Sequence, residues 1–277
     1  MKEQYQRRVS AWVVSPLAVL FFCGMLAGCG APKDEDPYGA FLGDSLKLYD
    51  AFDSGDTIDT GRWRVREIGS GTGSITQSNG ILSADLGGTS LLSDSVKELE
   101  FIESPYGTVD ELKAFAATVI LEAHDQTAGD IRARLGGQFF KSVVGIANYE
   151  IYAEIRLQRE QVAESTTVNV YYEVISCPTI DCDSGRVSLT GGPVDMNSTA
   201  LLGRTAKLYI GYNGREVFTF QHDDDTPQTY DTRTAGHEYA GPSEVSFSGV
   251  SKSIGVRADA GTTGSVQARF DNVRVGY

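Results

Sequence analysis

The feature that most restricts this chain lies between Ala114 and Ile175, where apolar and polar residues alternate through four consecutive segments. Lys113–Ala123, Asp130–Leu135, Glu150–Leu157 and Thr167–Ile175 all favour a period of two over the helical 3.6. In the third segment Ile151, Ala153, Ile155 and Leu157 fall on one side, with Glu150, Tyr152, Glu154 and Arg156 on the other. A strand sends successive side chains to opposite faces, so the pattern predicts an antiparallel sheet with one dry face and one wet face. The dry row is expected to be core. The wet row is the expected working surface.

The rest of the chain agrees. Leu46–Asp53 and Trp63–Val65 read as strands around a Gly/Asp turn, with Trp63 as a core anchor. Gly and Ser punctuate short strands from Gly69 to Ser95, and Val109–Lys113 suits one helical turn. Asn213-Gly214, between Thr205–Tyr212 and Arg215–Gln221, predicts a two-residue hairpin turn. More than a dozen strands, no long helix and no internal repeat point to an all-β sandwich.

Residues 1–28 read as an address. Lys2, Arg7 and Arg8 precede an apolar run from Ala11 to Leu26, the layout of a secretory signal, and the run is short for a membrane span of about 20 residues. Leu26-Ala27-Gly28-Cys29 resembles the bacterial lipoprotein lipobox. The resemblance implies cleavage before Cys29 and acylation of that residue, anchoring the chain in the lipid bilayer; each buried methylene contributes about 0.8 kcal/mol. An uncleaved helix with an incidental cysteine is the alternative. Gly30 after the cysteine favours, by analogy with lipoprotein sorting, the outer membrane. Residues 29–44, with Pro32, Pro37 and the acids Asp34, Glu35 and Asp36, read as a flexible tether, leaving 45–277 as one domain.

Loss of residues 1–28 would leave 249 residues and move the formal charge from −13 to −15. Such an acidic chain disfavours nucleic acid and anionic headgroups as partners. Cys177 and Cys182 are then the remaining cysteines, expected to form a disulfide that pinches a short loop. A metal site there would lack further thiols or a nearby histidine.

Tyr49–Asp53 with Asp59 and Trp63, and Ala268–Val275 at the other end, resemble the terminal strands of concanavalin A-like lectin/glucanase jelly rolls. The middle, from Ala133–Phe140 through Ala153–Arg156 to Tyr171–Cys182, is similar to uncharacterised secreted bacterial proteins of that type. The resemblance implies a sandwich of two antiparallel sheets in which the first and last strands pair, and it says little about activity.

Three candidate sites follow. Glu98-Leu-Glu-Phe-Ile-Glu103 resembles the catalytic strand of family 16 glycoside hydrolases, which implies Glu98 as nucleophile, Glu100 as its helper and Glu103 as acid. Retention needs carboxyl groups about 5 to 5.5 Å apart. Glutamate replaces the central aspartate, Lys97 replaces the usual glycine, and the acids also suit a solvated edge. Arg132, Arg134, Tyr152, Glu154, Arg156, Asn169, Tyr171 and Glu173 of the wet row suit hydroxyl-rich or carboxylate-bearing sugars, or else ordinary cross-strand ion pairing. His222-Asp223-Asp224-Asp225 could supply oxygens to calcium, which many related lectin-like folds hold, or simply be solvated; Asp181 and Asp183 stand no higher. No zinc spacing, Ser-His-Asp order or phosphate loop stands out, and no cofactor is otherwise implied. The sequence thus supports a lipid-anchored envelope protein with a non-catalytic carbohydrate-binding or surface-interaction module. The alternatives are a glycoside hydrolase or polysaccharide lyase working through Glu98, Glu100 and Glu103, and a structural envelope protein without a small ligand.

Overall fold

A computed structural model describes residues 40–88, 93–102, 111–159, 167–178, 185–240 and 251–277, all within the unit Tyr38–Tyr277. Sixteen strands run through them. They are β1 (Lys47–Asp50), β2 (Trp63–Ile68), β3 (Ile75–Ser78), β4 (Ile81–Gly87), β5 (Ser95–Phe101), β6 (Ala114–Ala128), β7 (Ile131–Val144) and β8 (Ala147–Gln158), then β9 (Thr167–Cys177), β10 (Val187–Ser188), β11 (Val194–Leu201), β12 (Thr205–Tyr212), β13 (Val217–His222), β14 (Gln228–Asp231), β15 (Lys252–Ala258) and β16 (Thr263–Gly276). The four alternating segments of the sequence are β6 to β9.

The strands form two antiparallel sheets. The first has the order β14-β13-β12-β6-β16-β4-β3 with β1 also on β16; the second has β10-β9-β8-β7-β15-β5-β2 with β11 also on β9. Lys47 pairs with Val275 and Leu48 with Arg274, so the first strand joins the last as the jelly-roll resemblance implies. The fold is an all-β jelly-roll sandwich. Between the sheets lies one apolar cluster that takes Phe115, Val119 and Leu121 from β6, Ile151, Ile155 and Leu157 from β8, and Val168, Val170 and Val174 from β9. Each such side chain, fully buried, contributes about 1.5–3 kcal/mol.

Trp63 is 1% exposed and anchors one end of that cluster. Its ring stands edge-on to Tyr49 at 5.0 Å and lies 4.6 Å from Phe101. Its Nε1 donates to Asp50 Oδ2 at 2.7 Å, while Asp50 Oδ1 accepts from the Phe52 amide at 2.8 Å. A buried indole N–H needs such a partner, which explains an aspartate inside the core.

Three expectations need correcting, and one falls partly outside the described residues. Residues 41–44, read as tether, pack down: Phe41 is buried, and the Leu42 amide donates to Gln221 Oε1 at 2.7 Å. Asn213-Gly214 does not make a two-residue turn; Tyr212 pairs with Phe218, and Asn213 Oδ1 accepts from the Arg215 and Val217 amides, holding a longer loop. Of the helical turn over Val109–Lys113, residues 109 and 110 lie outside the described residues. The largest departure concerns the wet face of the second sheet. In β7 every residue from Ile131 to Phe140 is buried, and β15 and β5 are buried on both faces over most of their length.

Candidate functional site

Strand registers place the expected working row and more on the outer face of the second sheet. One line of residues crosses six strands: Arg66 pairs with Glu98, Glu98 with Gly255, Gly255 with Arg134, Arg134 with Arg156, and Arg156 with Tyr171. The neighbouring line runs from Arg64 and Glu100 through Ser253 and Gly136 to Glu154 and Glu173. The binding candidates Arg134, Tyr152, Glu154, Arg156, Tyr171 and Glu173 and the catalytic candidates Glu98 and Glu100 therefore share one face.

Glycine is what lets these side chains meet. Arg134 and Glu98 are separated by a whole strand, yet Arg134 Nε and its Nη2 both lie 2.7 Å from Glu98 Oε1. The ion pair spans the gap because Gly255 puts no side chain between them; its φ is +150°, and a Cβ there would come 2.4 Å from the Lys97 carbonyl. Gly136 does the same for Arg134 and Glu154, whose Nη1 and Oε2 are 3.1 Å apart; a Cβ on Gly136 would lie 2.8 Å from both residues.

Glu154 is the hub. It takes Arg132 at 3.0 Å, Arg134 at 3.1 Å and Arg156 at 2.8 Å. Around this centre Asp130 and Asp259 hold Arg132, Asp130 also holds Arg156, and Arg186 bridges Glu173 and Asp259. Burial alone pushes the Glu154 carboxyl up, but Arg132, Arg156 and Arg134 together bring it well below the usual range. Burial likewise raises and Arg134, then Arg257, more than reverse Glu98, which ends below its ordinary value. Arg132 is held the other way: burial lowers it, and Glu154, Asp259 and Asp130 raise it well above normal. Desolvation of each charge is offset only because every partner is in place.

This changes what the row can do. Arg156 is 1% exposed and Glu154 2%, so the expected wet row is instead a sealed ionic layer. Tyr152 and Tyr171 remain partly exposed, with the Arg156 guanidinium 6.0 Å from the Tyr171 ring centre. A recess of ≈ 50 Å³ opens on the layer and is lined by Arg66, Arg134, Tyr152, Arg186, Ser253 and Arg257, among others. Glu98 is fully buried, its Oε1 taken by Arg134 and its Oε2 by Ser253 Oγ at 3.1 Å. Glu100 pairs with Arg64 at 3.1 Å, and Glu103 lies outside the described residues. A retaining acid needs a raised pKa. Glu98, Glu154 and Asp259 all shift downward.

The acidic run at 222–225 has another use. His222, on β13, is buried with Nε2 3.1 Å from Asp223 Oδ2 and Nδ1 3.3 Å from Asp225 Oδ2. Ser198 Oγ, on β11, touches both His222 Nδ1 and Asp225 Oδ2, joining the two sheets at this edge. Asp223 Oδ1 accepts from the Lys207 amide at 2.7 Å, and Asp224 is exposed. The three aspartates do not converge, and among the described residues no group of three or more histidine, cysteine or acidic side chains is placed for a metal. Cys177 is buried at the end of β9; Cys29, Asp181, Cys182 and Asp183 lie outside the described residues.

Sequence reasoning missed Arg66, Arg186, Arg257, Asp130 and Asp259. The available signals were the glycines inside strand patterns at Gly136 and Gly255, which mark close approach, and the alternation Arg62-Trp-Arg-Val-Arg66, which puts Arg64 and Arg66 on one face.

No protein-family model matches the chain, and no curated protein does. Among solved structures it is similar to porphyranase B from Zobellia galactanivorans, at 11% identity over 83% of this chain and 92% of that one with a TM-score of 0.45. A family 7 alginate lyase matches at 13% identity over 83% and 90%, TM-score 0.41. A protein of unknown function from Shewanella oneidensis matches at 11% identity over 96% and 97%, TM-score 0.32. The sandwich assignment rests on the strand pairing itself.

Proposed function

We propose that this chain is a lipid-anchored polysaccharide-binding protein of the cell envelope, holding glycan against the outer face of the second sheet. The observation that carries the reading is the recess: the Arg186 and Arg257 guanidiniums, each held by a carboxylate, and the Tyr152 ring are partly exposed at a buried floor whose charges are already fixed. Donors locked in place lose little freedom when a ligand arrives, and tyrosine rings offer flat faces to sugar rings. A glycan array tests it. Signal above an unrelated acidic protein, lost in Tyr152→Ala, is expected; silence on every glycan removes the reading.

The anchor belongs to the same proposal: cleavage before Cys29, acylation of its thiol, residence at the outer membrane, and a Cys177–Cys182 disulfide. Palmitate labelling abolished by Cys29→Ser, and a mass lower by two hydrogens for the Cys177–Cys182 peptide pair before reduction, are the expected outcomes. Calcium at Asp223–Asp225 is not part of it. A second reading, polysaccharide cleavage, draws on Glu98 and Glu100 standing two residues apart on the same outer face of the second sheet. Product release from a bound polymer that stops in Glu100→Gln while binding persists would move the assignment there.

A further inference from the structure

We propose that the recess receives the anionic substituent of an acidic polysaccharide, a carboxylate or a sulfate ester, and that Arg66 is the residue that grips it. The inference rests on the polysaccharide-binding reading above and names the substrate class for that same face.

Size gives the first argument. A cavity needs about 10–15 Å³ to take one water, so ≈ 50 Å³ suits a few waters or one oxyanion and is too small for a sugar ring. The ring must lie above, where Tyr152 borders the opening.

Charge decides what enters. Five arginines and a single carboxylate, Glu154, line the recess. Four of the five are already matched: Arg132 and Arg134 by Glu154, Arg186 by Glu173, and Arg257 by Asp94. Arg66 is the exception. No described carboxylate lies within ion-pair distance of it, because Glu98, its neighbour across the strand pair, has both oxygens engaged by Arg134 and Ser253. Arg66 is half-buried on β2, the outermost strand on that side of the sheet, so its fork is partly desolvated yet reachable. Five N–H donors in a plane match a carboxylate or sulfate edge in a bidentate pair. With Arg66 included, six arginines (66, 132, 134, 156, 186 and 257) face six carboxylates (94, 98, 130, 154, 173 and 259), so one free guanidinium implies no net excess of charge in the layer.

The acidic chain as a whole, at −13, repels a polyanion at long range. Affinity must therefore come from this one local contact, and moderate salt, which screens the repulsion first, should weaken binding far less than it weakens a basic protein's hold on the same polymer.

The test uses the full chain with three probes of matched length: polygalacturonate, a sulfated galactan and neutral dextran, titrated calorimetrically. Binding of one or both acidic probes is expected, and which of them binds identifies the oxyanion. Arg66→Gln should weaken that binding roughly tenfold or more, as loss of a charge-assisted hydrogen bond implies. Arg64→Gln, two residues away on the same face, should leave it unchanged. Arg66→Lys keeps the charge without the fork and should fall between. Equal binding of dextran, or equal losses in the Arg64 and Arg66 variants, overturns this inference and leaves the general binding reading standing. No binding by any of the three probes or by a glycan array overturns both.

Discussion

The outer faces of the two sheets are built to opposite plans. Along β16 in the first sheet, exposed and buried residues trade places through most of its length, and the outer residues meet solvent; Arg269 and Glu122 pair there with side chains 43% and 24% exposed. Along β7 in the second sheet ten successive residues are buried although Arg132, Arg134 and Gln138 are among them. A polar residue on a strand thus reports which face it occupies and not whether that face is wet. Exposure follows from whether neighbouring strands supply a counter-charge, and the second sheet supplies one at nearly every position.

The comparison breaks most visibly at the hub. Glu154→Ala takes from three buried arginines the one carboxylate they share and should cost about 3–5 kcal/mol in urea unfolding, against less than about 1 kcal/mol for Glu122→Ala on the first sheet. Equal effects would mean that the ionic layer is not sealed. Next in size are two glycines. Gly136→Ala, whose Cβ would crowd Arg134 and Glu154, should lose about 1–3 kcal/mol. Gly87→Ala on β4, where the nearest atom is 3.5 Å away, should change stability by no more than about 1 kcal/mol in either direction.

Acid should separate the sheets by sign. Glu98, Glu154 and Asp259 titrate below their unfolded values of 4.5, 4.5 and 3.8, so their contribution is present above those values and is lost as pH falls through the lower folded ones. Asp271 on β16 behaves oppositely: burial, with Asp53 and Asp50 nearby, raises it, so its ionisation weakens the fold as pH rises past 3.8. Amide protection factors, taken against the intrinsic exchange rate at each pH from 6 to 3, should fall in β7 and β8 before they do in β16. The smallest effect lies at the joint between the sheets. Burial lowers His222, but Asp223 and Asp225 raise it overall, so its stabilisation is complete below 6.5 and fades as pH climbs through the folded value. A melting temperature that declines through neutral pH in the native chain and is flat in His222→Gln is the expected record.

The architecture was legible because it depends on apolar periodicity, which the sequence carries locally: β6 to β9 fall on the four alternating segments, and Trp63 is the core anchor expected of it. The site was legible only in part. Arg134, Tyr152, Glu154, Arg156, Tyr171 and Glu173 do share a face, as alternation requires, but their burial depends on partners far away in sequence, such as Asp259 for Arg132, 127 positions on. Gly255 allows Arg134 to reach Glu98 across β15, a relation that exists only once three strands are in register. The Asn213 loop failed for a local reason: the side chain of Asn213 bonds two amides and so stabilises a wider turn than its type alone predicts.

Hydrogen exchange of the full chain with and without an acidic polysaccharide tests the central claim most directly. Added protection in β2, β5, β7 and β8, centred on Arg66 and Tyr152 and absent from β3, β4 and β16, is the predicted result. Protection confined to the first sheet, or none with a polymer that demonstrably binds, would contradict it.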